Sequence, residues 1–420
     1  MSLTQRRRPM DAMKQLGPGL ITGAADDDPS GIATYSQAGA QFGFGLLWTL
    51  VLTYPLMTAV QLVSARIGRV TDQGLARNMA KIMPGWIVTG LVALLFVANT
   101  INIGADLAAM GEAAQLVVGR GDHVFTAVFA IGSLLLQIFV PYHRYASILK
   151  WLTLVLLAYV ALVFMVHVDW AAVGWGMVWP TVAGATAVTT IVAVFGTTIS
   201  PYLFFWQSSQ EVEEVDKDDA KHALKDAPRE APAELRRIGI DTFAGMAISN
   251  LVALAIMIGT AATLHAAGKT DIQTAADAAS ALKPVAGQFA FLLFSLGIIG
   301  TGLLAIPVLA GSAAYAIGEA RGWTTGLEKK PLEARGFYAV ISVATLLGIG
   351  LDWSPVDPIK ALFWSAVING VVAVPIMVAM MIVVSRRSTM GAYTASPALR
   401  FFGWSATAVM AVAAVAMFLV

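Results

Sequence analysis

Apolar residues recur in long runs along the whole chain, and charged residues gather in the short segments between the runs. Each run holds about 20 residues or more, the length that an α-helix needs to cross the hydrocarbon core of a bilayer. The pattern therefore predicts eleven membrane-spanning helices. Their predicted positions are residues 17–38, 45–66, 86–117, 123–140, 146–167, 182–208, 239–265, 286–317, 337–351, 358–384 and 398–419.

The basic residues support this number of spans and set their orientation. Lys and Arg concentrate in the cytoplasmic loops of membrane proteins. If the N-terminus is cytoplasmic, 23 of the 27 Lys and Arg residues fall in inner segments and four in outer segments. One span more or fewer near the middle would remove this asymmetry. We therefore predict a cytoplasmic tail at residues 1–16 and a multi-pass protein of a bacterial-type inner membrane.

Composition agrees with this class of protein. Hydrophobic residues fill 57% of the 420 positions and charged residues 13%, whereas soluble domains carry about 25% charged residues. The chain has no cysteine, which excludes disulfides and thiolate metal sites, and its five histidines show no ligand spacing. No small-residue cleavage site follows the basic N-terminus, so we expect this segment to be retained. The expected partner is the lipid bilayer, and no nucleic acid.

One extended hydrophilic segment, residues 209–238, carries charges of both signs without a long apolar period. We predict that it forms a solvated cytoplasmic loop that is partly helical. Glu211, Glu213 and Glu214 lie near the inner end of the sixth span and could attract cations there. Solvation of the loop is the favoured interpretation of these three glutamates.

Two spans contain an interruption. The first holds "GAADDDPSGIAT" at residues 23–34, where Pro29 has no amide hydrogen and Gly31 is a poor helix former. The sixth holds "VFGTTISPYLFF" at residues 194–205, with a similar weak point at Pro201. Matching breaks in two halves of a chain indicate a transporter whose binding site lies near the membrane midplane. The predicted five-helix repeats are residues 17–168 and 182–384, followed by an eleventh helix at 398–419.

Three consecutive carboxylates, Asp26–Asp28, fall about ten residues into the first span. An acid near the bilayer centre costs about 3 kcal/mol, so by default it has a function. The alternative places these acids at a helix end in the headgroup region. If the acids lie within the membrane beside unwound backbone, they form an oxygen-lined, anionic pocket that suits a cation.

The third span carries a polar stripe, because Asn99, Asn102 and Asp106 share one helix face. Interhelical hydrogen bonds would account for the two asparagines. Asp106 would belong to an ion pathway.

The segment "GPGLITGAADDDPSGIATYSQAGAQFGFGLLW" resembles the first span of the Nramp (natural resistance-associated macrophage protein) divalent-metal transporters. Their pattern is GP, DPGN, AT, QAGA and LLW. The resemblance implies an all-α integral membrane protein with the LeuT fold, in which two inverted five-helix repeats hold the metal at the broken first and sixth helices. It covers essentially the first ten spans. The further matching segments are "LVSARIG" (62–68), "ADLAAMGEA" (105–113), "FGTTISPYLFFWQ" (195–207) and Asp241 through Asn250.

The resemblance also implies a ligand set, and this sequence departs from it. The family binds Mn²⁺ or Fe²⁺ through the Asp and Asn of DPGN, a Met side chain and a backbone carbonyl. The corresponding positions here are Asp28, Gly31, Ser200 and Thr197. Without the thioether, only oxygen chemistry remains, which suits hard cations. Mg²⁺ sheds water reluctantly and binds through one or two carboxylates, so we expect partly hydrated Mg²⁺ and the Nramp-related magnesium transporter branch.

The proton-carrying positions of the family differ as well. The acid that follows the third-span Asp by three residues is Ala109 here, and the sixth-span histidines are Tyr202 and Gln207. Histidine is the side chain that titrates near neutral pH. Our hypothesis is therefore uncoupled uptake driven by the membrane potential, which favours inward movement of a divalent ion by about 4.6 kcal/mol per 100 mV. The possible ion pathway comprises Asp26, Asp27, Ser30, Asp106, Tyr202 and Gln207.

Two other transport functions stay open at this point. The first is a proton-coupled Mn²⁺ or Fe²⁺ importer of the standard Nramp type, against which Ser200 argues. The second is a Na⁺-coupled symporter of a small organic solute, whose carboxylate "DDDPSG" would repel. A membrane enzyme is disfavoured because no nucleophile–base pair stands in the spans. We expect no cofactor, since the transported cation is the substrate, and a functional monomer.

Overall fold

The computed structural model of the chain describes residues 18–121, 123–141, 144, 152–182, 184–216, 222–353 and 355–419. The predicted tail at 1–16 lies outside the described residues, as do residues 217–221 of the predicted loop. Helices and connecting loops make up the described part, which contains no strand.

Helical residues fill most of each of the eleven predicted spans, apart from residues 146–151 of the fifth, which lie outside the described residues. The α-helices are α1 (Pro18–Asp26), α2 (Pro29–Phe42), α3 (Leu47–Thr71), α4 (Leu75–Ile82), α5 (Gly85–Val118), α6 (Val124–Phe139), α7 (Leu157–Met165), α8 (Trp170–Val178), α9 (Gly184–Thr198), α10 (Pro201–Asp216), α11 (Ala231–Thr260), α12 (Ala275–Ser280), α13 (Lys283–Ala286), α14 (Ala290–Arg321), α15 (Arg335–Ile349), α16 (Pro358–Ser385), α17 (Arg387–Met390) and α18 (Pro397–Leu419). Short 3₁₀ helices are Leu152–Leu156, Gly287–Phe289 and Gly350–Trp353, and a π-helical turn at Ala261–His265 extends α11.

Eight stretches of helix in the described residues are long and apolar enough to cross a membrane. The first span is divided between α1 and α2, and a bend of 118° separates the helix ending at Met165 from α8. Helix α8 was not predicted from the sequence. Asp169 caps its N-terminus, and Trp170, Trp175 and Trp179 are exposed on or beside it, which is typical of a membrane–water interface. The chain is a multi-pass membrane protein.

Both predicted interruptions are present, and each has a local cause. Helix α1 ends at Asp26, and α2 begins at Pro29, whose missing amide hydrogen is harmless at a first helical position. Asp28 stands between them in an extended conformation and caps α2. In the sixth span, α9 ends at Thr198 and α10 begins at Pro201.

The helices around the breaks approach each other closely at glycines. A Cβ atom on Gly370 of α16 would lie 2.7 Å from the carbonyl oxygen of Val192 in α9, so α9 and α16 pack backbone to backbone. Gly23 of α1 lies directly against the backbone of Gly245 in α11. The N-terminal half of the first span, α1, therefore packs tightly against α11.

The predicted loop at residues 209–238 is helical at both ends, in agreement with a partly helical segment, but its first glutamates are not solvated. Helix α10 continues to Asp216, and α11 already begins at Ala231. The Glu211 side chain is fully buried, and its Oε2 pairs with Nη2 of Arg237 at 2.7 Å. Glu213 accepts hydrogen bonds from the Tyr315 hydroxyl and from the amide of Leu327. These glutamates do not solvate a loop, because partners distant in sequence bind them inside the protein.

Candidate cation site

Asp28 lies at the break of the first span, 1% exposed, and both of its carboxylate oxygens accept hydrogen bonds. Oδ1 accepts from the Ser30 hydroxyl at 2.6 Å and from the Gly31 amide at 2.8 Å. These two bonds form the N-cap of α2, where an acidic residue is favoured by the exposed amides of the first turn. The sequence folds in this way locally because Asp28 provides the cap, Pro29 the first helical residue, and Ser30 and Gly31 the donors of the first turn.

The second oxygen of Asp28 faces the third and sixth spans. Oδ2 accepts from Nδ2 of Asn102 at 3.1 Å and lies 3.5 Å from the Tyr202 hydroxyl. The same hydroxyl donates to the carbonyl of Ala25 at 3.2 Å. Oδ1 of Asn102 in turn accepts from the Ser365 hydroxyl at 2.5 Å. Asn102 is therefore part of the site. From its place in the polar stripe, only hydrogen bonding between helices was predicted for it.

Two of the positions inferred from the resemblance come together beside Asp28. A Cβ atom on Gly31 would lie 3.3 Å from Oγ1 of Thr197 and 3.5 Å from the carbonyl oxygen of Asp26. Oγ1 of Thr197 is buried and has no hydrogen-bond partner among the described residues. The glycine thus leaves room next to an unused hydroxyl and a backbone carbonyl.

Ser200 has a different environment from the one expected of a ligand. Its hydroxyl lies 2.8 Å from the carbonyl oxygen of Gly196 and 2.9 Å from that of Thr197, to which it donates. Carbonyl groups in the last turn of α9 therefore satisfy the Ser200 hydroxyl. The Thr197 carbonyl, an expected ligand, is engaged by the same contact.

Asp26 and Asp27 face α11 and not α5. The Ser249 hydroxyl lies 2.7 Å from Oδ2 of Asp26 and 3.0 Å from Oδ1 of Asp27. Oδ1 of Asp26 is buried without a partner in the described part of the chain. These two acids belong to a separate polar contact with α11, on the N-terminal side of Asp28.

Asp106 is fully buried on α5, one helical turn beyond Asn102. Within the described ranges, neither of its carboxylate oxygens has a hydrogen-bond partner. Gln207 lies elsewhere: its Oε1 accepts from the Thr22 hydroxyl, and its Nε2 lies 3.5 Å from Glu211. Asp106 fits a pathway through the site, whereas Gln207 joins α1 to α10.

The buried carboxylates of this region lack positive partners. No ion pair within the described ranges involves Asp26, Asp27, Asp28 or Asp106. Nor do the described residues contain a group of three or more His, Cys, Asp or Glu side chains that could hold a metal ion. A cation at Asp28 would complete its coordination with carbonyls, hydroxyls, amides or water.

Comparison with known proteins places the chain among membrane transporters. Residues 19–420 match the family model described as natural resistance-associated macrophage protein-like. A protein of Yersinia pestis named divalent metal cation transporter MntH is 30% identical over 307 residues, which is 71% of each chain.

Solved structures show the same fold. The manganese transporter of Eremococcus coleocola, in complex with an aromatic bis-isothiourea substituted compound, superposes with a TM-score of 0.72 at 15% identity and covers 99% of this chain and 90% of its own. MhsT in complex with L-phenylalanine gives a TM-score of 0.62 at 12% identity, covering 96% and 97%. The expected LeuT-type architecture is thereby confirmed. Since the family model matches nearly the whole chain, this protein belongs to the Nramp family.

Proposed function

We propose that this protein imports a divalent metal cation, Mg²⁺ in partly hydrated form, by alternating access and without proton coupling. Family membership and relatives named as divalent metal cation transporters support the class of substrate. The observation that carries the proposal is Asp28, a buried carboxylate at the broken helix with no positive partner among the described residues.

The choice of Mg²⁺ is supported by the chemistry around this carboxylate. The groups that contact this carboxylate are the Ser30 and Tyr202 hydroxyls, the Gly31 backbone amide and the Asn102 side chain. Gly31 and Ser200 stand where the family has Asn and Met, so no thioether is available. Hard cations prefer oxygen, and Mg²⁺ usually keeps several of its waters. Unused acceptors such as the Asp106 carboxylate could receive hydrogen bonds from that water.

Absence of proton coupling is supported by the residues at the relay positions. Ala109 cannot carry a proton, and Gln207 has no titratable group. Tyr202 donates its hydroxyl to the Ala25 carbonyl. The membrane potential alone favours entry of a divalent cation by about 4.6 kcal/mol per 100 mV.

A proton-coupled Mn²⁺ importer is the second candidate. The manganese transporter of the same fold favours Mn²⁺ as the metal, and the unpartnered carboxylate of Asp106 could accept a proton. This candidate predicts that metal entry acidifies the interior of a vesicle. Our proposal predicts that it does not.

We further propose a functional monomer in a bacterial-type inner membrane, with a cytoplasmic N-terminus. Residues 17–168 and 182–384 would form the two inverted repeats, supported by the matching breaks before α2 and before α10. The transported cation is the substrate, and the proposal includes no cofactor.

The test is uptake into proteoliposomes that contain a Mg²⁺ dye or a pH dye, with the variant Asp28→Asn. Asn is as good an N-cap as Asp, so this variant retains the cap of α2 and removes the charge. We expect Mg²⁺ flux without acidification in the wild-type protein and loss of flux in Asp28→Asn. The matched control is Asp169→Asn, which changes an exposed N-cap on α8 and should transport normally. Full Mg²⁺ flux in Asp28→Asn, or acidification coupled to entry, would contradict the proposal.

A further inference from the structure

Helix α16 carries a buried amide that the site described above does not use. Asn369 is 0% exposed, and neither its Oδ1 nor its Nδ2 has a hydrogen-bond partner among the described residues. A buried polar group without a partner bears its full desolvation cost. A side chain with both an unused donor and an unused acceptor is therefore a candidate for contact with a ligand.

The position of Asn369 on α16 directs it toward the site. Ser365, four residues earlier, donates to Asn102, which in turn donates to Asp28. Four residues advance an α-helix by about 6 Å and rotate it by about 40° beyond a full turn. Asn369 consequently follows Ser365 on nearly the same face, one turn further along α16.

A contact made by the next residue further limits the direction in which the Asn369 side chain can point. Gly370, the next residue, lies against the backbone of Val192 and Gly196 in α9, just before the break of the sixth span. In the helical projection Asn369 falls between the face that contacts α5 and the face that contacts α9. Its amide thus faces the interior between the third span and the end of α9.

We propose that Asn369 is a further binding residue of the transport site, which hydrogen bonds to water in the shell of the divalent cation held at Asp28. This inference rests on the proposed function and adds α16 to the helices that form the site. Water bound to a divalent cation is a strong hydrogen-bond donor, and the Oδ1 atom of Asn369 is a free acceptor for it. The Nδ2 atom can donate to a second water or to a carboxylate.

The position along the pathway follows from the directions of the helices. From the contact between Asn102 and Ser365, Asp106 lies one turn along α5 and Asn369 one turn along α16. The predicted topology runs α5 outward and α16 inward, so these two unpartnered groups stand on opposite sides of Asp28. Asn369 would receive the hydrated ion as it leaves Asp28 for the cytoplasm.

The experiment measures the concentration dependence of Mg²⁺ uptake, and of Mg²⁺ binding to the detergent-solubilised full chain, for Asn369→Leu. We expect KM and Kd to rise about tenfold, the effect of losing a hydrogen bond to a charged cluster. Mn²⁺, which sheds its water more readily than Mg²⁺, should be affected less. The control is Thr345→Val on α15. This variant removes a fully buried hydroxyl that, like the Asn369 amide, has no partner in the described residues, and it should leave both constants unchanged.

A second variant keeps the inference testable if Asn369→Leu does not fold. Asn369→Asp preserves the shape and an acceptor and adds a negative charge, so Mg²⁺ should bind several-fold more tightly. Unchanged Mg²⁺ constants in either folded variant, or equal effects of Asn369→Leu and Thr345→Val, would overturn the assignment. Failure of the proposed function would be distinguished by Asp28→Asn, which would then retain divalent flux.

Discussion

At the scale of single residues, Asp28 combines a structural task with an unneutralised charge. Oδ1 caps α2, and Oδ2 accepts bonds from Asn102 and lies near Tyr202. A cation that binds at Oδ2 can replace these two donors while the cap at Oδ1 stays intact. The carboxylate can therefore bind and release an ion without unwinding the helix that positions it.

Selectivity is tested at Ser200, whose hydroxyl now engages the carbonyls of Gly196 and Thr197. Ser200→Met would remove this hydroxyl, free the Thr197 carbonyl and add a thioether, which selects softer metals. We expect Mn²⁺ and Cd²⁺ to compete more strongly with Mg²⁺ uptake, by about tenfold or more. The measurement is inhibition of Mg²⁺ flux in proteoliposomes at increasing concentrations of each competitor.

The matched control for this variant is Ser200→Leu, which has similar bulk and no sulfur. If both variants change competition equally, the effect comes from the lost hydroxyl or from size. If neither variant changes it, residue 200 does not face the ion, and selectivity arises elsewhere.

The sequence allowed only part of this site to be predicted. Asp28, Gly31 and Thr197 stand in motifs close to the breaks, and the structure brings them together. Ser200 also stands in a motif, but its own helix end satisfies its hydroxyl. The surroundings of Asn102 and Asn369 are formed by helices that are distant in the chain, and nothing in their local sequence indicates those neighbours.

At the scale of helices, the N-terminal half of the first span, α1, packs closely against α11 at two glycines. The amide of Gly19 in α1 donates to Oδ2 of Asp241 in α11 at 2.7 Å, and Gly23 lies against the backbone of Gly245. Such close contact requires glycine, because a Cβ atom on Gly19 or Gly23 would lie within 3 Å of backbone atoms of α11. In the proposed topology, we expect this packing to close the cytoplasmic side of the site.

This packing predicts the effect of Gly23→Ala. The added methyl would push α1 away from α11 and shift the population of conformations toward an open inner side. The chain has no cysteine, so Thr242→Cys provides a single label site beneath α1; Thr242 is buried, and its hydroxyl has no partner in the described residues. We expect thiol labelling from the cytoplasmic side to become several-fold faster when Gly23→Ala is added to Thr242→Cys.

Gly239→Ala is the control, since a Cβ atom at this position of α11 meets nothing within 4 Å. It should leave the labelling rate of Thr242→Cys unchanged. Equal rates with and without Gly23→Ala would show that the contact between Gly23 and Gly245 does not hold the inner side closed.

The elements themselves were more predictable than their contacts. Long apolar runs and the Pro- and Gly-containing interruptions predicted the spans and both breaks, because hydrophobic length and backbone chemistry act locally. The inner end of α10 was missed because its charges are typical of a solvated loop. Glu211 is buried there only because Arg237 on α11 reaches it at 2.7 Å.

At the scale of the whole molecule, acidic side chains are concentrated where the membrane is least able to solvate a charge. Asp26, Asp27, Asp28 and Asp106 are all buried, and no described Lys, Arg or His forms an ion pair with them. An interior of this kind attracts cations and excludes anions. The energy that drives a cation through it must then come from outside the protein, as a gradient or as a membrane potential.

The dependence of accumulation on voltage follows from this arrangement. If a divalent cation crosses alone, a potential of −60 mV favours its entry by about 2.8 kcal/mol, which corresponds to about a hundredfold accumulation. Proteoliposomes clamped with potassium gradients and valinomycin should show this ratio for Mg²⁺ at −60 mV and no accumulation at 0 mV. A pH gradient imposed at 0 mV should produce none either. Accumulation that followed the pH gradient and ignored the potential would identify a proton-coupled exchanger, and the carboxylates at the centre of the fold would then have to carry protons as well as metal.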